Sequence, residues 1–333
     1  MPDVTELANA KTEAEVDAAA ANLNAEINGP NKQRANKDER VGKWRVDQDG
    51  NISVQTGVWT PTMARRVTII DEIRGFCVLC MVVFHCLFIL GSQFDVAWGT
   101  RLYEFFRPAQ PAFSAMFILI SGICARFSRD VRKRGFILVV AAAGITLTTV
   151  LLLPYLGFEG MRVWFGVIHL LAVSKLLFGL GNKTFDKIPS FLGLFICLGL
   201  FFFTAPVGQG YLGLFGFHWD LPEALYRTNA LAFLGFATPA FEAFDHFPLL
   251  PYCFIFLFGT FMGKMIRFPS PRKWGSGRKA GWDDEGLPNI CYKLHSMFFF
   301  LLGYYALPIY LLHVPVFYGL AYFLQALLGM GNS

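Results

Sequence analysis

Long apolar segments, separated by short polar stretches rich in lysine and arginine, dominate the chain after residue 66. Hydrophobic residues make up 54% of the 333 positions. Charged residues make up only 16%, against about 25% in a soluble domain. Because backbone polar groups in lipid must find their partners within the protein, such segments fold as helices. The sequence therefore predicts an all-α protein, a polytopic transmembrane helical bundle preceded by a soluble N-terminal tail.

The apolar segments predict about seven membrane spans, several of them near the short limit of ~17–25 residues. These spans cover residues 69–91, 108–125, 136–156, 164–180, 189–205, 247–266 and 304–328. A further helix over residues 291–303 is predicted to lie along the membrane surface. The apolar part of the long 206–246 connection, Ala230–Phe241, is a candidate re-entrant segment. The predicted domains are a tail over residues 1–66 and a membrane domain over residues 67–333.

The tail carries two local patterns. Apolar residues at helical spacing predict a short amphipathic helix over Val16–Ile27. Lys43–Val46 and Ile52–Val54 flank the turn dipeptide Asp49-Gly50 and predict a small hairpin. The tail lacks the apolar core of a signal peptide, so the first membrane helix is predicted to act as its own insertion signal.

Lysine and arginine are unevenly distributed among the predicted loops. Alternate loops carry only Arg101 and Arg107, then Arg162, then Arg227. The tail and the other loops carry Arg65, Arg66, Arg126, Arg129, Arg132, Lys133, Arg134, Lys183, Lys187, Lys264, Arg267, Arg272, Lys273, Arg278 and Lys279. By the positive-inside rule, the tail is predicted to be cytoplasmic and the C-terminus extracytoplasmic, in a multi-pass protein of the cell membrane.

Charge and cysteine usage exclude some functions. The formal net charge of +5 is modest and does not favour nucleic acid as a partner. The seven cysteines are odd in number and lie mostly in apolar segments, which does not indicate a disulfide framework. Cys77 and Cys80 form a CxxC without the second pair of a zinc site, so no metal site is predicted. The sequence leaves the oligomeric state open and is compatible with a homo-oligomer.

The first predicted span contains Asp71, Glu72, Arg74 and His85. Charges inside a membrane helix cost ~2.5–3.5 kcal/mol each on insertion scales, so they are usually retained for function. Eleven residues separate Arg74 from His85, which returns to nearly the same helix face at ~100° per residue. His85 then lies ~16 Å deeper than Arg74. Asp71, three residues before Arg74, is placed to pair with it.

Four histidines are predicted in the outer half of the bundle. His85 lies in the first span, His169 near the outer end of the fourth, His246 at the mouth of the sixth and His313 within the seventh. For each one the structural alternative is a core or interfacial histidine bonded to a carbonyl group. Their convergence on one half of the bundle favours a shared site.

Five sequence blocks follow one another over about residues 67–320. They are Ile70–Gly75 through Met81 to His85, Phe105–Arg107 through Phe117 to Ser121–Ile123, Trp164–Ser174, Asp245–Tyr252 through Gly259 to Lys264, and Ile309–Pro315. In this order and spacing they resemble the membrane acyltransferases related to the catalytic domain of heparan-alpha-glucosaminide N-acetyltransferase. The chain differs from that pattern at Tyr305-Ala306, usually an Asn-Ser pair, and at Val314, often Gln. Pro308 is a predicted kink in the last helix.

The resemblance implies transfer of an acetyl or similar group from cytosolic acyl-CoA to an extracytoplasmic sugar or glycan amine or hydroxyl. Acyl-CoA is then a co-substrate, with no bound cofactor. Such transfer needs a base and a group that stabilises the oxyanion. His85 is the predicted general base or transient acyl carrier. Asp245 is predicted to orient a histidine or to cap a helix, and His169 and His313 are further catalytic candidates.

Substrate-binding residues follow from charge and predicted side. Arg74, Asp71 and Lys264 are predicted to bind the polyanionic acyl-CoA from the cytoplasm, whereas setting the topology is the alternative role of the basic loops. His246 and Arg107 are predicted to bind the acceptor, and the alternative for Arg107 is a side chain that reaches the membrane interface.

Two other functions are compatible with the sequence. The first is a transporter or sensor that uses the Asp/Arg/His stripe as a proton or solute path, although the sequence shows no inverted repeat. The second is an acyltransferase-like scaffold without activity, which the departure at Tyr305-Ala306 would explain.

Overall fold

The computed structural model describes residues 43–46, 52–55, 67–92, 94–128, 130–155, 161–214, 216–266 and 287–327. The predicted tail helix over Val16–Ile27 and the basic residues 267–279 lie outside these ranges. Compactness divides the chain into a small unit, residues 1–45 and 54–63, and a large unit, residues 46–53 and 64–333. The domain boundary after residue 66 stays a prediction.

Both strands predicted for the hairpin are found in the structure. Strands β1, Lys43–Val46, and β2, Ile52–Gln55, form a two-stranded sheet on either side of Asp49-Gly50. A second antiparallel pair, β3 at Tyr211–Leu214 and β4 at Phe217–Asp220, lies in the connection that follows the predicted fifth span.

Helices make up most of the rest of the described chain. They are α1 Thr68–Ser92, α2 Ala97–Phe106, α3 Gln110–Arg126, α4 Val131–Leu147, α5 Val167–Lys187, α6 Ser190–Thr204, α7 Leu249–Met265, α8 Met297–Tyr304 and α9 Ala306–Leu327. A π-helical turn, Thr148–Leu152, extends α4 to Tyr155. Short 3-10 turns occupy Arg107–Ala109, Ala205–Gln209, Glu223–Tyr226, Asn229–Leu234 and Asn289–Tyr292.

Within the described residues, four helical segments are long and apolar enough to cross a membrane. They are Thr68–Ser92, Ala97–Arg126, Val131–Tyr155 and Ser190–Gln209. A fifth results if Met297–Tyr304 and Ala306–Ala321, which are bent by 86°, count as one span. The described residues therefore hold fewer candidate spans than the seven predicted.

The difference arises because apolar residues outside the helices were counted as parts of spans. Helix α7 has only 17 residues, since the chain before Leu249 is extended. Helix α5 begins only at Val167, so a span-length window in it takes in the polar residues of its second half. An apolar composition thus indicates which residues are shielded from water. The backbone conformation decides how many of them form one straight helix.

The last predicted span, residues 304–328, is broken at Tyr305. Pro308 has no backbone N–H, and its ring conflicts with the carbonyl group four residues earlier, so α8 ends at Tyr304. The helix resumes in α9, where the Ile309 N–H donates to the Tyr305 carbonyl at 3.0 Å. The kink predicted from Pro308 is found as this sharp break.

Pairs of glycines bring two helix pairs into backbone contact. A Cβ on Gly75 of α1 would lie 1.9 Å from a carbonyl oxygen of α8, and one on Gly303 of α8 would lie 1.8 Å from a carbonyl oxygen of α1. Gly122 of α3 and Gly259 of α7 show the same closeness, at 2.1 and 2.2 Å. Small residues of this kind allow membrane helices to pack closely. The helix predicted along the surface over residues 291–303 thus packs on α1 through its α8 part.

Burial distinguishes the inner helices from the outer ones. Helices α1, α3, α5, α7 and α9 supply most of the main core, which includes Val78, Ile118, Leu170, Phe256 and Tyr310. Helices α4 and α6 instead expose large apolar side chains, among them Phe136, Val140, Phe191, Phe195 and Phe202. An apolar exterior of this extent is typical of a surface that faces lipid.

Candidate functional site

A pair of histidines joins α1 to α9 in the interior. Nδ1 of His85 lies 2.8 Å from Nε2 of His313, and the two rings are nearly parallel, with an interplanar angle of 15°. Only 4% of the His85 surface is exposed. The structure thus brings together two histidines that are 228 residues apart in the sequence.

A hydrogen bond between His313 and Tyr310 fixes the tautomers of the two neutral histidines. Nδ1 of His313 lies 2.7 Å from the Tyr310 carbonyl oxygen, which can only accept. His313 therefore donates from Nδ1, and its Nε2 accepts the Nδ1–H of His85. Nε2 of His85 is left unprotonated and has no hydrogen-bond partner among the described residues. The arrangement presents one basic nitrogen whose ring is held by its neighbour.

Asp245 holds the other side of Tyr310. Its Oδ2 accepts the Tyr310 hydroxyl at 2.5 Å and the Val167 backbone N–H at 3.2 Å. Burial raises the pKa of the Asp245 carboxyl, and these two hydrogen bonds act in the opposite direction. The carboxyl group therefore caps α5 rather than the helix that follows it, and its side-chain partner is a tyrosine rather than a histidine.

Gly166 makes room for this carboxyl group. A Cβ at Gly166 would lie 2.3 Å from Oδ2 of Asp245, closer than any side-chain carbon is tolerated. The sequence before α5 therefore allows Asp245, which lies next to α7, to reach the first turn of α5.

Phe244 covers the histidine pair from the segment that leads into α7. Its ring centre lies 4.7 Å from that of His85 and 5.0 Å from that of Phe88. The Phe244 N–H donates to the Arg162 carbonyl at 3.1 Å, which fixes the segment beside the residues that precede α5. The aromatic cover makes the surroundings of His85 apolar.

His169 lies outside this pair, at the start of α5. Its Nδ1 accepts the Gly166 N–H at 3.2 Å, and its Nε2 lies 2.8 Å from the Thr146 hydroxyl. That hydroxyl donates to the Val163 carbonyl at 3.1 Å. Both ring nitrogens of His169 are thus engaged in holding the start of α5 against α4. Within the described residues, the His169 ring does not contact His85 or His313.

The two predicted acceptor residues are in different surroundings. Nδ1 of His246 is buried without a hydrogen-bond partner among the described residues, and Phe241 packs edge-on against the ring at 4.9 Å. Burial lowers the pKa of the His246 imidazole. Arg107 instead forms an exposed pair with Glu104, at 3.2 Å, with two-thirds of the Arg107 side chain accessible.

Arg74 is bound by protein groups from three helices. One guanidinium nitrogen donates to Asp71 at 3.0 Å and to the Gly303 carbonyl at 3.3 Å, and another lies 2.7 Å from Sγ of Cys124. The pairing of Asp71 with Arg74, predicted from their spacing, is confirmed. Arg74 therefore links α1, α3 and α8.

Lys264 is engaged at the end of α5. Its Nζ donates to the carbonyl groups of Asp186 and Ile188, both at 2.8 Å. The Asp186 side chain pairs with Arg126 at 2.5 Å. Lysine near a helix C-terminus satisfies carbonyl groups that lack partners within the helix. This geometry gives Lys264 a capping role.

Two residues of the site were missed by sequence reasoning. Tyr310 lies in the block that contains His313, and its spacing of three residues from that histidine was the available signal. Lys175 lies in α5 inside a predicted span, where a charge is costly and usually functional. Its side chain forms no hydrogen bond or ion pair with the described residues, and it lies within electrostatic range of Arg74 and Arg134.

Comparison with known proteins gives one match. The family model described as "Heparan-alpha-glucosaminide N-acetyltransferase, catalytic" covers residues 66–315, well over half of the chain. No curated protein and no solved structure matches. The matched range includes both histidines of the pair, Asp245, Tyr310 and the basic residues around Arg74. The chain therefore belongs to the heparan-alpha-glucosaminide N-acetyltransferase catalytic family, a family of membrane acetyltransferases.

Proposed function

We propose that this protein transfers an acetyl or similar acyl group from acyl-CoA to an amine or hydroxyl of a sugar or glycan. The observation that carries the proposal is the His85–His313 pair, because its hydrogen bonds run in one direction and end in a free basic nitrogen. The family name supports acetyl as the group transferred.

In the proposed reaction, Nε2 of His85 removes a proton from the acceptor amine or hydroxyl as that group attacks the thioester carbonyl. A C–N or C–O bond forms, the C–S bond breaks, and the proton passes from His85 to the departing thiolate. His313 accepts the Nδ1–H of His85 throughout and stabilises the positive charge that develops on the ring. A neutral imidazole among apolar groups suits this role, since proton transfer of this kind contributes about 10²–10⁴-fold to a rate.

The alternative retains the same residues. Nε2 of His85 attacks the thioester first, carries the acyl group and releases it to the acceptor in a second step. The two routes differ in whether acyl transfer to the enzyme occurs without an acceptor.

The basic groups near Lys175 support binding of the donor. Lys175, Arg74 and Arg134 come from three helices, and both arginines lie within electrostatic range of Lys175. Arg74 is largely committed to protein groups, whereas Lys175 has no partner among the described residues. A buried or partly buried cation needs a counter-charge, and the phosphates of acyl-CoA would supply it. Lys175 is thus the proposed contact to those phosphates.

We also propose an orientation of the protein in the membrane. The Lys/Arg distribution puts the N-terminal tail and the Arg74–Arg134 region in the cytoplasm of a cell-membrane protein. With five spans the two chain ends lie on opposite sides, and with four they lie on the same side. The test is a reporter enzyme that works only outside the cytoplasm, fused after Ser333. Activity of this fusion would support the five-span arrangement, in which the bent pair α8–α9 crosses the membrane.

The function is tested on purified protein with acetyl-CoA as donor. We expect His85→Ala to lower acetyl transfer by roughly 10²–10⁴-fold, while the melting temperature stays near the parental value. His218→Ala, in the β3–β4 hairpin, is the matched control. Isotope exchange between acetyl-CoA and labelled CoA without acceptor distinguishes the acyl-carrier route, which requires it, from direct transfer. A folded His85→Ala protein that transfers acetyl at the parental rate would overturn the proposal.

A further inference from the structure

A cavity of about 590 Å³ lies beside the segment that covers the histidine pair. Two stretches of chain form it, the residues that precede α5 and the connection that precedes α7. Its lining consists of Arg162, Trp164, Phe165, Asn229, Ala232, Phe233, Ala240, Phe241 and Glu242. Its volume falls within the range of about 300–1,000 Å³ that is typical of small-molecule sites.

The segment between cavity and histidine pair is short. Phe241 and Glu242 line the cavity, and Phe244, two residues later, packs on the ring of His85. Backbone hydrogen bonds hold this segment beside the residues that precede α5, from Phe244 to Arg162 at 3.1 Å and from Phe247 to Phe165 at 3.1 Å. One short segment therefore lines the cavity through Phe241 and Glu242 and contacts the proposed base through Phe244.

Two charged side chains of the lining have no partner within the described ranges. Neither Arg162 nor Glu242 forms a side-chain hydrogen bond or ion pair with a described residue, although both face one cavity. Asn229 accepts the Thr238 N–H through Oδ1 at 3.1 Å, which leaves its amide group free to donate. The cavity thus offers a cation, a carboxylate and an amide donor to a bound molecule.

Aromatic rings supply the remaining surface. Trp164 is 49% exposed and Phe233 is 40% exposed, and the Phe233 ring packs against Phe165 at 6.0 Å. The C–H faces of a pyranose ring stack on exposed aromatic rings, while its hydroxyls bind planar polar groups at the ring edge. Exposed aromatic groups beside unpaired polar groups are the features expected of a sugar site.

We propose that this cavity binds the sugar unit of the acceptor, an inference that rests on the function proposed above. Trp164 and Phe233 provide the stacking surface, Glu242 binds the amine or a hydroxyl of the sugar, and Arg162 and Asn229 bind further oxygens. The cavity is separated from His85 by the short segment that carries Phe244.

The charge of the cavity lining disfavours acyl-CoA as the molecule bound there. One arginine and one glutamate face it, so they cancel, whereas acyl-CoA carries several phosphate charges. Glu242 would repel those phosphates, and the basic groups near Lys175 come from a different set of helices. The two substrates therefore have separate binding regions.

Glucosamine is the probe for this proposal, with kinetics measured on the purified protein. We expect Glu242→Gln and Arg162→Gln each to raise the KM for glucosamine on the order of tenfold, the loss of one hydrogen bond to a charged group. The KM for acetyl-CoA and the acceptor-independent release of CoA should stay at parental values. Glu223→Gln and Arg227→Gln, in the same connection but outside the cavity lining, are the matched controls.

A direct binding measurement separates this proposal from the proposed function. Titration calorimetry with glucosamine should give the same affinity for His85→Ala as for the parental protein, and a weaker one for Glu242→Gln. Binding with this pattern but without acetyl transfer would overturn the function and retain the site. A parental protein that does not bind glucosamine, or folded cavity variants with unchanged KM and affinity, would overturn the site.

Discussion

The histidine pair and the basic region around Arg74 use their polar groups differently. In the first, hydrogen bonds pass from His85 to His313 and on to Tyr310, and one nitrogen of His85 has no partner in the part of the chain that the structure describes. In the second, Arg74 donates hydrogen bonds to Asp71, to Cys124 and to a backbone carbonyl group. Lys264 likewise donates to two backbone carbonyl groups. A charged residue in a membrane segment can therefore serve packing as readily as substrate binding.

Lys175 is the exception in the basic region. It lies on the same helix whose end Lys264 caps, yet it has no partner among the described residues. The comparison predicts that groups with a free donor or acceptor affect catalysis or substrate binding, whereas engaged groups affect stability.

Among the residues around His85, the largest effect is expected for His313→Ala. Removing the acceptor of the His85 Nδ1–H leaves the catalytic ring without its orienting partner, so we expect acetyl transfer to fall by about 10²-fold. The melting temperature should change little if the pair serves catalysis. Rates and melting curves on the same preparation check this prediction, with His295→Ala as the control. A rate that falls only in proportion to lost folded protein would contradict it.

Tyr310→Phe should instead act mainly on stability. The substitution removes the hydroxyl that Asp245 accepts and keeps the backbone carbonyl that His313 uses. Leaving a buried acceptor with one partner fewer costs about 1–3 kcal/mol. Denaturation of the purified protein, with Tyr252→Phe as the control, measures this loss. A large fall in turnover with unchanged stability would show that the Asp245–Tyr310 contact acts on the chemistry.

Lys175→Met should weaken the binding of the acyl-CoA donor. If the ammonium group binds a phosphate of acyl-CoA, its removal raises the KM for acetyl-CoA on the order of tenfold, as expected for one hydrogen bond to a charged group. The KM for the acceptor should not change. Lys183→Met, an exposed lysine of the same helix, is the matched control. Equal KM values for the two variants would remove Lys175 from the donor site.

The smallest effect is expected for Lys264→Met. Its ammonium group contacts the last carbonyl groups of α5, a cap that contributes roughly 0.3–1 kcal/mol. We therefore expect a slightly lower melting temperature and an unchanged KM for acetyl-CoA. A raised KM would restore the donor-binding role predicted from the sequence and would narrow the difference between Lys264 and Lys175.

Local sequence determined several parts of this protein. The apolar composition requires helices in lipid, the spacing of Asp71 and Arg74 sets their pairing, Pro308 breaks the last helix, and the alternating residues of 43–46 and 52–55 form two paired strands. Each result depends on residues within one helix turn or one hairpin. The ordered blocks that contain His85 and His313 also allowed the family to be identified, because such motifs are read in order along the chain.

Tertiary structure decided the rest. Which histidines meet depends on how α1 and α9 pack, and spacing along the chain does not show that His85 contacts His313 while His169 is held by Thr146. The described residues hold fewer candidate spans than predicted, because apolar composition does not reveal where a helix begins. Likewise, Lys175 and Lys264 both lie within predicted spans. Only the packing of the neighbouring helices decides that Lys264 binds carbonyl groups, whereas Lys175 has no partner among the described residues.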